Sequence, residues 1–307
     1  MTKAVKTTDN TKLAGEESRQ LAFDGRQLTY EERGKPEGIP IFMLHGTPGS
    51  RVGPRPRGSV LYRLGVRLIT FDRPGYGGST RLQGRSVGSV AGDVERIADH
   101  LGIERFAVIG RSGGGPHALA CAALLPHRVT RVAALVSLAP PEAEGLDWFG
   151  GMTRSNIVEY MAALAGLNRL TEILTPAAHA IRSDPTHLIS GLYDELPEAD
   201  RRVVANPRIR AMLLENYAEA LRHTAAGWID DAIAFCSPWG FDPADITVPT
   251  LVWHGEKDRF SPADHSRWLA SRIPTARMTV QPEAAHFGAL NVLPDMLPWL
   301  ANHERII

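Results

Sequence analysis

Six short apolar runs constrain the fold of this chain more than any other feature, because most of them lack the alternating polar residues of a half-exposed strand. They are residues 39–44, 66–71, 106–109, 129–138, 250–253 and 277–280. Strands that are apolar throughout are typical of a sheet covered on both faces. Residues 86–101 and 113–125, which lie between these runs, show the patterning of packed helices. The alternation predicts an α/β fold with an open, mostly parallel sheet flanked by helices.

The residues ahead of these strands predict a loose tail followed by a hairpin. Residues 1–18 are polar and aperiodic, which is typical of an unpacked terminus. Residues 21–23 and 27–30 then flank Asp24-Gly25, a pair that suits the tight turn between two antiparallel strands.

A long segment without strand signals interrupts the alternation. From about residue 140 to residue 245, apolar residues recur at helical spacing, as at Ile157, Met161 and Leu164. Asn206-Pro207 predicts a helix start, with the asparagine as cap and the proline at the first helical position. We therefore expect an all-helical cap, residues 140–245, inserted into a core formed by residues 19–139 and 246–307.

The charge balance argues against a polyanionic partner. The 307 residues include 34 Lys and Arg and 34 Asp and Glu side chains, which gives a formal net charge of zero. The basic side chains are scattered, and the one basic run, residues 51–57, is predicted to be a solvated loop. No nucleic-acid or membrane partner is expected, only a small-molecule substrate, and the oligomeric state is left open. Without an apolar leader or a run of membrane-spanning length, the expected location is cytoplasmic.

The strongest chemical signal is a glycine-flanked serine, Gly110-Arg-Ser112-Gly-Gly114, between a predicted strand and a predicted helix. In that context the motif forms a sharp turn that exposes the serine hydroxyl at the edge of a sheet, so Ser112 is the candidate nucleophile. The backbone N–H of Gly113, at the helix start, points where an oxyanion would develop. A glycine-rich turn after residues 39–44 can aim a second N–H, that of Thr47, at the same oxyanion.

A nucleotide-binding turn is the alternative reading of the same residues. Gly113-x-Gly115-x-x-Ala118 matches a loose dinucleotide fingerprint after a strand. The acidic residue expected about 20 positions later is missing from residues 129–138, and Pro116 stands where a phosphate-facing N–H is wanted. No cofactor is therefore predicted. No metal site is predicted either, because the sequence has no cluster of ligands at metal-binding spacing.

Three motifs together resemble the α/β-hydrolase superfamily, in its capped branch of esterases, lactonases, proline iminopeptidases and carbon–carbon bond hydrolases. They are His45-Gly-Thr-Pro-Gly49, Asp72-Arg-Pro-Gly-Tyr-Gly-Gly-Ser79 and Gly110-Arg-Ser-Gly-Gly114, in the order and spacing of that family. The resemblance covers about residues 20–300. It implies an acid after the strand that follows the cap and a histidine after the last strand, and Asp258 and His286 fill those positions. The expected catalytic triad is then Ser112, Asp258 and His286.

Other residues compete for roles in the site. Asp230 and Asp231, on the last predicted cap helix, are alternative triad acids. Trp148, Phe149 and Met152, near the start of the cap, are predicted either to line the substrate pocket or to form the core of the cap. Seven histidines outside the triad are expected to be solvated: His100, His127, His179, His187, His223, His265 and His303.

The expected reaction is hydrolysis of a carboxylic ester or lactone of a small, fairly apolar substrate through an acyl-enzyme on Ser112. A proline iminopeptidase-like peptidase is an alternative that requires cap carboxylates to hold the substrate amine. The cap offers five candidates: Glu142, Glu144, Asp147, Glu159 and Glu215. A carbon–carbon bond hydrolase with the same triad is a third possibility. A non-catalytic ligand receptor or scaffold of the same fold also stays open.

Overall fold

The computed structural model describes residues 18–302, which form one eight-stranded sheet with helices around it. The strands are β1 (Arg19–Phe23), β2 (Arg26–Gly34), β3 (Ile39–Leu44), β4 (Val66–Phe71), β5 (Phe106–Arg111), β6 (Val129–Leu135), β7 (Thr250–Gly255) and β8 (Ala276–Gln281). Their spatial order is β1-β2-β4-β3-β5-β6-β7-β8. Strand β2 is antiparallel to both of its neighbours, and all other pairs are parallel. The predicted loose tail, apart from Ser18, lies outside the described residues, as does His303.

Backbone conformation explains where two of the predicted strands end. Asp24 and Gly25 have φ angles of 47° and 73°, the left-handed pair that a tight antiparallel hairpin requires. The predicted strand over residues 129–138 is three residues too long. Val136 has a φ angle of 46°, which is incompatible with an extended strand, so β6 ends at Leu135.

Eleven α-helices accompany the sheet within residues 18–302. They are α1 (Gly58–Arg63), α2 (Val90–His100), α3 (Gly114–Leu124), α4 (Arg154–Ala165), α5 (Leu167–Ser183), α6 (Thr186–Leu192), α7 (Glu198–Ala205), α8 (Pro207–Ala220), α9 (Ala226–Phe235), α10 (Ala263–Arg272) and α11 (Ala289–Leu300). Helices α2, α3 and α10 share one apolar cluster with the sheet, and α1 and α11 share another. Alternate residues of β3 divide between the two clusters, since Phe42 belongs to the first and Ile41 to the second. The predicted α/β fold, with helices on both faces of a mostly parallel sheet, is confirmed.

Helices α4 to α9 follow one another between β6 and β7, and we call residues 154–235 the helical segment. An apolar cluster of its own includes Leu174, Leu213 and Trp228, and Phe260 and Phe287 from the sheet's loops pack against it. Its helix α8 begins as the sequence predicts, because the Asn206 side chain accepts hydrogen bonds from the first backbone N–H groups. Across the described residues, no helix has the length and apolar character needed to cross a membrane.

The basic run at residues 51–57 is not a solvated loop at its first residue. Arg51 is 7% exposed and lies 2.6 Å from the Asp72 carboxylate, with further ionic contacts to Glu31 and Glu219. The prediction was wrong because it treated the run as an isolated segment. Residues far away in the sequence supply the carboxylates that make burial of Arg51 possible.

A buried ion cluster joins α9 to the loops that follow β3 and β4. One oxygen of Asp231 accepts hydrogen bonds from Arg73 (2.6 Å), Thr47 (2.7 Å) and Tyr76 (2.8 Å). The other oxygen lies 2.7 Å from the Arg85 guanidinium. Burial by itself favours a neutral acid, but the two arginines hold the pKa of Asp231 well below its usual range. The cluster therefore keeps its charges paired at neutral pH.

Asp231→Asn should cost about 3–5 kcal/mol of unfolding free energy, because it leaves two buried guanidinium groups undercompensated. Asp230→Asn is the matched control on the same helix. Asp230 pairs with Arg81, whose side chain is 37% exposed and can turn to water, so we expect a loss of at most about 1 kcal/mol. Chemical denaturation of both variants measures the difference, and equal losses would contradict the assigned role of the cluster.

Strand β3 and helix α3 approach closely at Gly114. A Cβ atom at this position would overlap the backbone carbonyl oxygen of Leu44, which cannot move without distorting β3. A Cβ at Gly92, on the solvent side of α2, would meet nothing within 4 Å.

Gly114→Ala should therefore destabilise the protein by about 2 kcal/mol or more, since two rigid elements must separate. Gly92→Ala should raise stability by up to about 1 kcal/mol through helix propensity alone. Denaturation midpoints of the two variants test this contrast. A neutral Gly114→Ala would show that the approach is not tight.

Candidate active site

Ser112 occupies a strained turn between β5 and α3. Its φ angle is 56°, a left-handed conformation that costs a non-glycine residue on the order of 1–2 kcal/mol. The turn is held from both sides, because Ser112 N–H donates to Leu135 (2.9 Å) and Gly115 N–H donates to the Ser112 carbonyl (2.8 Å). A Cβ at Gly110 would overlap the Gly114 carbonyl. Glycine at position 110 is therefore required for the close approach of β5 to the start of α3.

Ser112, His286 and Asp258 are joined by hydrogen bonds, although three separate loops carry them. His286 Nε2 lies 3.0 Å from Ser112 Oγ, and His286 Nδ1 lies 2.8 Å from Asp258 Oδ2. Asp258 follows β7, and His286 follows β8 in a short 3-10 turn. With Nδ1–H donating to the carboxylate, Nε2 is left as the acceptor for the serine proton.

Asp258 is held ionised by its surroundings. Burial would raise its pKa, but His286 and a hydrogen bond from His254 lower the pKa well below its ordinary value. Backbone N–H groups of Phe260 (2.8 Å) and Ser261 (3.2 Å) donate to its other oxygen. His254 also donates from Nε2 to the Ser261 carbonyl (2.6 Å), so this histidine fixes the loop that carries the acid.

Thr47 and Gly113 lie against each other beside Ser112. A Cβ at Gly113 would overlap the Thr47 hydroxyl, and both residues line the same cavity as Ser112. No acceptor for either backbone N–H is found among residues 18–302. The Thr47 hydroxyl is held by two hydrogen bonds: it donates to Asp231 and accepts from Arg73. The two N–H groups are thus available to an oxygen atom bound near Ser112.

Asp200 of α7 contacts the turn that carries His286, and nothing in the sequence singles this residue out. Its carboxylate accepts hydrogen bonds from the backbone N–H groups of His286 (3.2 Å) and Phe287 (2.7 Å). Burial raises the pKa of Asp200 to about 6, although His286 opposes the shift. The helical segment therefore holds the turn that presents the histidine.

The competing acids lie elsewhere. Asp231 belongs to the buried ion cluster and Asp230 pairs with Arg81, so neither contacts His286. His117 lies beside that cluster and does not line the cavity: its Nε2 is 3.7 Å from an Asp231 oxygen, and its Nδ1 donates to the Gly113 carbonyl (2.7 Å). Burial lowers the pKa of His117 to about 3. The glycines of the alternative nucleotide fingerprint are also engaged in packing, because a Cβ at Gly115 would touch the Ser137 side chain.

Trp148, Phe149 and Met152 do not line the cavity but pack in the apolar cluster on the α2–α3 face of the sheet. Trp148 Nε1 donates to the Ala139 carbonyl (2.9 Å), which fixes the ring there. His265 is buried, not solvated, because its ring nitrogens bond to Ala139 and Trp148 backbone groups. Both errors arise because the periodicity of a segment does not say which neighbour covers it.

A cavity of about 440 Å³ opens over Ser112. Its lining is mainly apolar and comes from α4, α5, α6, α8, α9 and the loops of the sheet; it includes Leu138, Val158, Tyr160, Ile173, Leu174, Leu188, Leu192, Tyr217, Trp228, Phe260 and Phe287. Four charged residues also line it: Arg111, Arg154, Glu159 and Glu195. Within the described part of the chain, no group of three or more potential ligand side chains is arranged to hold a metal ion.

Comparison with known proteins agrees with this architecture. The sequence profile of the alpha/beta hydrolase fold family matches residues 39–291. The chain is 28% identical over 281 residues to a 2-hydroxymuconate semialdehyde hydrolase of Pseudomonas putida, covering 88% of this chain and 87% of the relative. It is 31% identical over 294 residues to a proline iminopeptidase of Neisseria gonorrhoeae, covering 88% and 90%.

A solved structure shares the fold over nearly the whole chain. The enol-lactonase from Burkholderia xenovorans LB400 superposes with a TM-score of 0.67 at 22% identity, covering 92% of this chain and 98% of the other. The matched residues of the family profile contain Ser112, Asp258 and His286. This chain belongs to the alpha/beta hydrolase fold family, and it is a hydrolase.

Proposed function

We propose that the protein is a serine hydrolase that cleaves a carboxylic ester or lactone of a small, fairly apolar substrate. The observation that carries the proposal is the hydrogen-bonded chain from Ser112 through His286 to an ionised Asp258, facing a mainly apolar cavity. The helical segment, which supplies much of the cavity lining, acts as the cap over the site.

The reaction proceeds in two steps in this proposal. Ser112 Oγ attacks the ester carbonyl as His286 Nε2 takes its proton, and the N–H groups of Thr47 and Gly113 stabilise the oxyanion. The protonated imidazole then gives its proton to the departing alkoxide, which leaves an acyl-enzyme on Ser112. Water attacks the acyl carbon while His286 again acts as base, and the serine is released with the free acid.

A peptidase acting on an N-terminal amine is the second candidate, and Glu159 is the observation that favours it. Of the five cap carboxylates proposed to hold an amine, Glu159 is the one that lines the cavity. The Trp228 indole N–H donates to it (2.9 Å). Burial raises the pKa of Glu159 to about 7, so the carboxyl is neutral in acidic solution and binds an ammonium group only when it ionises.

Labelling with a fluorophosphonate probe tests the nucleophile. Wild-type protein should take up one adduct, mapped to Ser112, and Ser112→Ala should take up none and lose at least about 10³-fold in ester hydrolysis. Ser271→Ala, an exposed serine on α10, is the control and should label fully. Intact-mass analysis reads the adduct, and a panel of esters, lactones and proline anilides then ranks substrates. Folded wild-type protein that reacts with neither this probe nor smaller organophosphates would favour a non-catalytic receptor.

The Glu159 carboxyl should make stability depend on pH. Its pKa in the folded protein, about 7, exceeds the ordinary value of 4.5, so the folded state binds the proton more tightly. This contribution is fully present below pH 4.5 and is lost as the pH rises through 7. Relative to Glu159→Gln, wild-type protein should lose up to about 3 kcal/mol of unfolding free energy between pH 5 and pH 8.

Denaturation of both proteins at the two pH values checks this. Glu172→Gln, in which an exposed glutamate of α5 is replaced, should follow the wild-type profile. Parallel curves for wild type and Glu159→Gln would show that Glu159 is ordinarily solvated. Under the peptidase alternative, the ratio of proline-anilide to neutral-ester cleavage should also rise through pH 7 in wild type and stay flat in Glu159→Gln, because the ratio cancels the pH dependence of His286.

A further inference from the structure

Arg111, the residue before the nucleophile, is a cation without a carboxylate partner. Its Nη1 atom is buried and has no hydrogen-bond partner among residues 18–302. The guanidinium instead packs over the Phe287 ring, 5.9 Å from the ring centroid. The buried arginines Arg51, Arg73 and Arg85 differ, because each lies within 2.7 Å of an aspartate oxygen.

A buried cation without an ionic partner lowers the stability of a protein unless a bound anion pairs with it. Burial lowers the pKa of Arg111 from its ordinary value, although Tyr217, Asp200 and Asp258 oppose this shift electrostatically. The group still carries its charge at neutral pH, since a guanidinium titrates far above that range. Arg111 is therefore a positively charged side chain that an anionic ligand could neutralise.

The position of Arg111 relates it to the reaction centre. It lines the same cavity as Ser112 and Tyr217, and a Cβ at Gly46, in the turn after β3, would lie 3.3 Å from its Nη2. Arg111 also borders a void of about 20 Å³, which has room for no more than one water molecule. A larger anion must therefore reach Arg111 from the active-site cavity.

The carboxylates of the cavity are already engaged by other groups. Glu195 accepts hydrogen bonds from the backbone N–H and the hydroxyl of Ser155, and Glu159 accepts from Trp228. Neither bonds to Arg111. Arg111, next to the nucleophile, therefore remains available to pair with an anionic group of the substrate.

We propose that Arg111 forms an anion subsite beside the nucleophile and that the substrate is an ester or lactone bearing a carboxylate. The inference rests on the proposed ester or lactone hydrolysis and narrows its substrate class. A planar guanidinium binds a carboxylate through two parallel hydrogen bonds. The apolar walls hold the rest of the substrate, and the carboxylate orients it relative to Ser112.

Two esters of matched shape test the subsite: the mono-p-nitrophenyl ester of glutaric acid and the neutral ester in which an amide replaces its free carboxylate. Wild-type protein should have a kcat/KM at least tenfold higher for the acid. In Arg111→Met the ratio of the two kcat/KM values should fall about tenfold to a hundredfold, and Arg111→Lys should restore part of it. Arg169→Met, an exposed arginine of α5, removes the same charge and should keep the wild-type ratio.

A binding measurement separates this proposal from the proposed reaction. Glutarate should raise the Tm of wild-type and Ser112→Ala proteins but not that of Arg111→Met, whether or not an ester is cleaved. Without glutarate, Arg111→Met should have a Tm at or above the wild-type value, because an unpaired buried charge has been removed.

Three results would overturn the subsite. One is a wild-type enzyme that hydrolyses the amide-ended ester as fast as the acid. Another is an equal loss on both esters in Arg111→Met together with a Tm several degrees lower, which would assign Arg111 a structural role. The third is no stabilisation of Ser112→Ala by millimolar glutarate. Failure of the reaction itself is recognised separately, by the absence of a serine adduct in wild-type protein.

Discussion

The left-handed backbone of Ser112 is the constraint on which the rest of the site depends. It turns the chain from β5 into α3 within two residues, and no side chain fits at Gly110, where β5 meets the start of α3, or at Gly114, where α3 meets β3. Such a conformation persists only where its surroundings determine it fully. Here β6 and α3 hold Ser112 through backbone hydrogen bonds, and the turn at Gly46 lies close to its side chain. One backbone conformation thereby sets both the serine hydroxyl and the Gly113 N–H that lies next to it.

The other half of the site is held from the helical segment. Asp200 binds the backbone of the turn that carries His286, and Asp231 binds the side chain of Thr47. In each case a buried carboxylate of the helical segment accepts a hydrogen bond from a loop of the sheet. The segment thus does more than shape a cavity, because its acids position the general base and one of the two oxyanion donors of the proposed mechanism.

Local sequence was sufficient for the parts of the molecule that are determined locally. The turn at Asp24-Gly25, the capped start of α8 and the strand–serine–helix motif each depend on a few neighbouring residues, and each is found. Contacts between residues far apart in the chain could not be predicted from the sequence. Arg73 meets Asp231 across 158 positions, and Arg51 and Trp148 were misjudged for the same reason. Arg111 could not be singled out from the sequence, because the lack of a partner is a property of the folded chain.

Three acids of the helical segment contact loops of the sheet rather than one another: Asp200, Glu219 and Asp231. The segment is consequently a poor candidate for exchange between relatives. A transplanted segment without an acid opposite Arg73 and Arg85 would place two like charges together in a dry interior, whatever cavity it formed. Substrate range in such a chain evolves more readily through the walls of the cavity, in α4, α5 and α6, than through replacement of the segment as a whole.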